Sequence, residues 1–306
     1  MDEANTKGEI SYRVFQDRME KLFQATANKL EREWDSRYRH IYDARITFFQ
    51  SLRVAINTFN TIMFICADVP NDPGRRPVYA LSLAPLTRTL FEQLIAFVFL
   101  MEDIPTYIPW LFKTGYTEHR IELKHSLRYH GSDPIWQNYI KKLNRQLSLE
   151  EKSMKLTADE IRNPIKKIGR WPTPGQMLAK LRNECPSSSA IDFIEYINSW
   201  LYRELSGQTH LNVSGLINRG IHFSIDDAKM IFGEDWEEKR KEQLEIYRQK
   251  QVWIAITIML AIVSEIEAHF RYDLNQRARY LWTILIEYSD ITKDLWEHRY
   301  STLLPE

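Results

Sequence analysis

Residues 252–263 read VWIAITIMLAIV and form one of the two longest apolar runs of the chain, the other being residues 91–101. Twelve helical residues span about 18 Å, whereas the hydrocarbon core of a bilayer is about 30 Å thick. The run therefore predicts a buried core helix and not a membrane span. It forms the apolar second half of a long helix expected from about residue 235 to residue 272, whose first half is charged.

The composition of the chain also favours helices. Gly and Pro together make up about 7 % of the 306 residues, whereas about 12 % is typical of soluble proteins. Proteins built from many short strands need turn residues at every corner, and no window of useful length alternates apolar and polar residues with period two. We therefore predict an all-α fold, an antiparallel bundle of long helices, with helix above about 60 % and essentially no strand.

Apolar spacing and the positions of Pro and Gly predict the other helices. They are expected at residues 14–34, 42–67, 79–102 with a bend near Pro85, 110–130, 136–147, 224–233 and 275–300, and from Ser189 onward, where Ser189 and Asp192 resemble a capping box. Residues 163–175 are expected to form a loop. We predict a helical hairpin over residues 1–70 that extends a bundle over residues 71–306, with one continuous domain as the alternative.

Charge and cysteine content exclude several classes of protein. Lys plus Arg equals Asp plus Glu at 41 each, which excludes a globally basic nucleic-acid-binding surface but not a local patch. Cys66 and Cys185 are too few for a zinc knuckle or a disulfide framework. The first residues lack the basic region and apolar stretch of a signal peptide. We expect a cytoplasmic protein that has no membrane partner.

The segment with the clearest chemical potential is WLYRELSGQTH at residues 200–210. On a regular helix Arg203 and His210 are about 700° apart, nearly two full turns, and Ser206 falls on the same stripe. Arg presents a planar fork that matches phosphate oxygens, and His can exchange a proton near neutral pH. These residues predict phosphodiester chemistry. The alternative is structural: Arg203 pairs with a buried carboxylate and His210 caps the helix C-terminus.

An Arg followed after four to six residues by a His, at the end of a helix in an all-α domain, resembles the signature of the HEPN superfamily. The longer string Tyr-Arg-x-Leu-Ser-x-x-x-His, here residues 202–210, is similar to one in a branch of mostly bacterial HEPN-like proteins. A second feature of that branch is an earlier helix with Arg and Glu four residues apart. Arg88 and Glu92 match it.

The resemblance implies a metal-independent endoribonuclease that needs no cofactor and acts as a homodimer, leaving a cyclic phosphate. Arg203 would hold the phosphate and His210 would act as general base or acid, with Ser206 on the same face. A role as a toxin or antiviral defence effector, and a regulatory or antitoxin partner, are further implications. Glu204 stands where active members often carry Asn, Asp or His. Many members are non-catalytic dimerisation or binding modules, which is the alternative function.

Glu92 lies in an apolar helix, where a carboxylate needs a cationic partner. If the partner of Glu92 is Arg88, the two residues form a structural ion pair. If the partner is Arg203, Glu92 orients the catalytic arginine. Because of this second interpretation, we count Glu92 among the candidate catalytic residues.

Residues 162–182 carry six basic side chains and no acidic one. Together with an exposed Trp171, the cations Lys166, Lys167 and Arg170 are typical of single-strand RNA binding, which combines phosphate attraction with base stacking. A solvated loop is the alternative.

Glu122 and His125 have the i, i+3 spacing that di-iron carboxylate bundles use, and the only other nearby candidate pair is Glu265 with His269, at i, i+4. Arg120, Lys124 and Arg128 lie along the helix of the first pair and would repel a dication. We expect a solvated polar face there and no metal.

Overall fold

The computed structural model of the protein describes residues 3–34, 36–67, 82–186, 188–202, 205 and 236–304. It is 86 % helical, and none of the described residues forms a strand. The predicted all-α class is therefore confirmed. The antiparallel arrangement and the HEPN-like core stay predictions.

The helices are numbered in chain order. They are α1 (Glu3–Arg32), α2 (Tyr42–Ala67), α3 (Leu83–Glu102), α4 (Ile104–His130), α5 (Pro134–Ser153), α6 (Ala158–Arg162), α7 (Pro164–Lys167), α8 (Pro174–Glu184), α9 (Ser189–Ile197), α10 (Trp236–Phe270), α11 (Asn275–Leu285), α12 (Asp290–Leu295) and α13 (Ser301–Leu303). A 3₁₀ turn covers Ser36–Tyr38, and π-helical turns cover Asn198–Tyr202 and Trp296–Tyr300.

Helix α10 lies at the centre of the main core. Residues 254–267 are buried without interruption, so this part of the helix has no solvent-facing side. Helices α1, α2, α3, α11 and α12 pack around it. The side chains of α1 and α2 belong to the same buried cluster as those of α3 and α10, and the division of the chain at residue 70 stays a prediction.

Two segments, Leu83–Glu102 and Glu245–Phe270, are long and apolar enough to cross a membrane by length and composition alone. In the folded protein, 61 % and 83 % of the most apolar 18-residue window of each segment, respectively, is buried. That is the burial pattern of core helices.

A smaller core holds α4 and α5 together. Tyr116, Leu123, Ile140, Leu143, Leu147 and Ile168 form a buried cluster that is separate from the main one. This hairpin ends in the turn at residues 131–133, so its tip lies away from α10.

Several predicted boundaries were wrong because prolines begin helices in this protein. Pro85 lies in the first turn of α3, where proline removes no helical hydrogen bond, and not at an interior bend. Helix α4 begins at Ile104 instead of residue 110, since Asp103 caps it and Pro105 fits the first turn. Pro164 and Pro174 open α7 and α8 inside the region expected to be a loop.

Other differences concern caps and turns. The N-cap of α9 is Ser188, whose hydroxyl oxygen accepts a hydrogen bond from the Ala190 N–H at 3.1 Å. The prediction that Ser189 caps this helix was therefore wrong by one residue. Helix α5 continues to Ser153, past the expected end at residue 147. The final helix is broken after Leu285, and Ser289 caps a new start at Asp290. The predicted helix at residues 224–233 lies outside the described residues.

A buried ion pair joins three parts of the fold. Arg299 donates through Nε and Nη2 to the two carboxylate oxygens of Glu265, at 2.5 and 2.8 Å, and through Nη1 to the Ser189 carbonyl at 3.1 Å. The Tyr300 hydroxyl donates to the same carboxylate at 3.1 Å. The pair therefore ties α10 to the last π-helical turn and to the start of α9.

We expect Arg299→Met to lower the free energy of unfolding by about 3–5 kcal/mol, because it leaves the Glu265 carboxylate buried without its cation. The double variant Glu265→Met/Arg299→Met should lose less, since no unpaired charge remains. Urea unfolding measures both. Lys293→Met is the control, because its pair with Glu297 is exposed at 3.9 Å and should contribute close to nothing. Equal losses in the single and double variants would contradict this account.

Candidate functional site

The chain enters the Arg203–His210 segment through an irregular helix. Helix α9 ends at Ile197 and continues as the π-helical turn Asn198–Tyr202. A π-helical turn is wider than an α-helical one, and such turns are often found at functional sites. The regular helical spacing assumed between Arg203 and His210 concerns residues beyond this turn and stays a prediction.

The side chain of Arg88 reaches this turn from α3. Its Nη2 donates to the Tyr202 hydroxyl at 3.0 Å, and its guanidinium carbon lies 5.2 Å from the centroid of the Tyr202 ring. The same ring lies 5.8 Å from the ring of Phe91. Arg88 thus holds Tyr202 by a hydrogen bond and a cation–π contact, while Phe91 supports it from α3.

Arg88 also pairs with Glu92. Its Nε donates to Glu92 Oε1 at 2.9 Å, one helical turn along α3. Burial alone would lower the pKa of Arg88, but the hydrogen bond and charge of Glu92, together with Tyr202, raise that pKa above its ordinary value. Glu92 therefore has Arg88 as a partner, as the structural interpretation expected. An additional role of Glu92 in orienting Arg203 stays a prediction.

The residues predicted to carry the chemistry, Arg203, Ser206 and His210, lie outside the described residues. The structure does describe one leucine on each side of Arg203. Leu201 is 1 % exposed and Leu205 is fully buried. Both belong to the main core. The segment is thus anchored in the core at residues 201 and 205, next to the Arg88 contact.

Tyr202 is the residue of this site whose role the sequence interpretation missed. The signal was available, because Tyr202 is the first letter of the string that carries the resemblance. Only the folded chain shows that its hydroxyl meets Arg88, which is 114 positions away.

The basic segment is helical at Pro164–Lys167 and Pro174–Glu184, and residues 168–173 between these two helices form a loop. Lys166 and Lys167 lie exposed on α7, and Arg170 is exposed 3.6 Å from Glu118. Farther along, Lys180 and Arg182 form ion pairs with Glu184 and Glu195. The local positive charge is therefore concentrated at the start of the segment.

Trp171 is not the exposed aromatic that the sequence suggested. It is half-buried, with its ring 5.5 Å from the ring of Trp110 and 5.8 Å from that of Phe99. The Trp110 indole donates to the Ile168 carbonyl at 3.1 Å. Trp171 thus packs the basic segment onto α3 and α4.

The residues with metal-ligand spacing have other partners. Glu122 accepts a hydrogen bond from Tyr139, and Glu265 is held by Arg299. His269 lies 3.2 Å from the Tyr38 hydroxyl. Within the described ranges, no group of three His, Cys, Asp or Glu side chains is placed to hold a metal ion.

Comparison of the chain with protein-family models, with curated proteins and with solved structures finds no match. The resemblance to the HEPN superfamily therefore rests on residues 88–92 and 202–210 alone.

We expect Tyr202→Phe to lower the free energy of unfolding by about 1 kcal/mol, because the Arg88 guanidinium loses a hydrogen-bond acceptor that water only partly replaces. Urea unfolding measures the change. Tyr129→Phe is the matched control, since Tyr129 is 66 % exposed and makes no hydrogen bond within the described part of the chain. Equal stabilities of Tyr202→Phe and wild type would show that the contact has no net energetic value.

Proposed function

We propose that the protein is a metal-independent endoribonuclease with a HEPN-like core. The observation that carries the proposal is the hydrogen bond between Arg88 and the Tyr202 hydroxyl. It brings together the two segments on which the resemblance rests, although they are far apart in the chain. If the two strings belong to one site, their residues are expected to lie in contact in the folded chain, and Arg88 and Tyr202 do.

In this proposal Arg203 and His210 act on an RNA phosphodiester. His210 takes the proton of a 2′-hydroxyl, whose oxygen then attacks the adjacent phosphorus. The bond from phosphorus to the 5′-oxygen breaks, that oxygen receives the proton that His210 took up, and a cyclic phosphate remains. Arg203 neutralises the phosphate oxygens through its planar fork, and Ser206 lies near the reacting groups. No metal or other cofactor takes part.

Arg88 and Glu92 act in this scheme as positioning residues and not as catalytic ones. Glu92 fixes the guanidinium of Arg88, and Arg88 fixes Tyr202, the residue directly before Arg203. A displacement of about 1 Å at a reacting group can cost about 100-fold in rate, so a fixed entry to the segment matters for catalysis.

The assembly and setting follow from the same resemblance. A homodimer would supply Arg203 and His210 from both subunits to one cleft. The protein would act in the cytoplasm as a toxin or antiviral defence effector, under the control of a regulatory or antitoxin partner.

The alternative is a non-catalytic interaction module. It is favoured by a group of exposed apolar side chains around the turn between α4 and α5. Its members are Leu127, Tyr129, Ile135, Trp136 and Tyr139, of which Ile135 is 84 % exposed. An exposed apolar patch of this kind is typical of a surface that binds another protein.

We expect Arg203→Ala and His210→Ala each to lower the rate of RNA cleavage by at least about 100-fold, because each removes a group that acts in the transition state. Arg203→Lys should restore only part of the rate, since a point charge lacks the bidentate fork. A chelator should leave cleavage intact. Gel assays with purified protein and end-labelled RNA measure these rates, and exposed Arg128→Ala and His125→Ala are the controls.

Equal cleavage by wild type and His210→Ala would contradict the proposal. So would cleavage that disappears with chelator and returns with added metal. If the wild-type dimer cleaves no RNA and the apolar side chains of the α4–α5 turn bind a protein partner, the interaction module is the function.

We expect the triple variant Lys166→Gln/Lys167→Gln/Arg170→Gln to bind single-stranded RNA more weakly and with a flatter salt dependence. Each lost phosphate contact should reduce the slope of log affinity against log salt by about 0.7. Fluorescence anisotropy with labelled RNA measures the slope. The control variant, Lys141→Gln/Lys142→Gln/Arg145→Gln on α5, removes the same charge from another exposed surface. Equal slopes in both triple variants would show that residues 166–170 do not guide RNA.

A further inference from the structure

A cavity of about 320 Å³ opens at the turn between α1 and α2, far along the chain from the proposed catalytic segment. The described side chains that line it are Arg32, Trp34, Arg39, Ile41, Arg45 and Ile46. Half of these are arginines and none is a carboxylate.

Among the described side chains, the arginines have little to neutralise them. Neither Arg32 nor Arg39 has a described carboxylate within 4 Å. Arg45 donates through Nη1 to the backbone carbonyl of Glu31 at 3.0 Å. Because a backbone carbonyl has no net charge, this hydrogen bond does not neutralise the guanidinium. The nearby Glu33 is already paired with Lys29 at 2.7 Å. Three like charges around one cavity repel each other, and a bound anion would relieve this repulsion.

Trp34 forms an apolar wall of the cavity. Its ring is held in the core, 5.3 Å from the ring of Phe270 and 6.1 Å from that of Phe48. A ring fixed in this way offers a rigid surface to a flat group of a ligand.

Size and lining narrow the class of ligand. Small-molecule sites usually range from about 300 to 1,000 Å³, so this cavity suits a small ligand. The arginines match a phosphate group, because the guanidinium fork binds two of its oxygens. Ile41, Ile46 and the Trp34 ring offer an apolar surface for a flat group.

We propose that the cavity binds a phosphate monoester of mononucleotide size. Its phosphate lies among Arg32, Arg39 and Arg45, and its ring lies against Trp34 and the two isoleucines. The described residues that line this site all come from the α1–α2 turn and its flanks, and the proposal does not depend on RNA cleavage.

Isothermal titration calorimetry with adenosine monophosphate, adenosine and inorganic phosphate tests the proposal on the full chain. We expect saturable binding of adenosine monophosphate at one site per chain. Adenosine should bind at least about tenfold more weakly because it lacks the phosphate, and inorganic phosphate should bind more weakly because it lacks the ring. A 5′-phosphorylated trinucleotide that binds more tightly than the mononucleotide would identify an RNA end as the source of the phosphate.

Arg39→Gln is the variant that tests the phosphate contact. Arg39 is exposed and makes no hydrogen bond or ion pair with another described residue, so this substitution should leave the fold intact. It should weaken binding of adenosine monophosphate at least about tenfold, with an unchanged urea midpoint. Arg53→Gln is the matched control: Arg53 is exposed on α2, two turns beyond Arg45, and does not line the cavity.

Trp34→Phe keeps an aromatic ring but offers a smaller surface to the ligand's ring, and we expect a smaller loss of affinity. Equal affinity of Arg39→Gln and wild type would overturn the proposal. So would equal losses in Arg39→Gln and Arg53→Gln, or the absence of binding by all three probes.

Discussion

The apolar second half of α10 has no polar side, so every face of it must be covered by another helix. This constraint organises the protein. Helices α1, α2, α3, α11 and α12 all pack on it, and its residues from 254 to 267 are buried as a result. The position of α3 against α10 in turn fixes Arg88 and Phe91, which meet Tyr202 at the entry to the Arg203–His210 segment. The candidate site is thus a consequence of how one apolar helix is covered.

The polar groups within this core serve to end helices and to join them. Glu265 is neutralised by Arg299, so its charge can be buried. Glu267 is buried two residues later and accepts hydrogen bonds from the backbone N–H groups of Tyr272 and Leu274, at 3.1 and 3.0 Å. Burial raises the pKa of Glu267, although those hydrogen bonds lower it in part. Glu267 lies in the last turn of α10, next to the backbone N–H groups that follow the helix, whereas Glu265 lies farther inside the helix and depends on Arg299.

Sequence reasoning succeeded where the signal was local. The bounds of α2 were predicted to the residue, and α10 within two residues, because apolar spacing over many turns leaves no alternative to a helix. It failed at Pro164 and Pro174, where a proline begins a helix instead of ending one. It also failed at the two π-helical turns, since no residue type marks them. Trp171 was expected to be exposed because it lies among cations, but Trp110 and Phe99 cover it.

The sequence by itself determined the fold class, the central apolar helix and the two strings, at residues 88–92 and 202–210, that suggest an RNA-cleaving site. The fold class and the central helix follow from periodicity, and the two strings suggest RNA cleavage through their resemblance to the HEPN superfamily. Both kinds of signal are properties of neighbouring positions. Only the tertiary structure decided that Arg88 contacts Tyr202, that Glu265 pairs with Arg299, and that three arginines of the α1–α2 turn surround one cavity. The physical reason is that each of these depends on the packing of helices against one another, and the distances between them are set by the whole core.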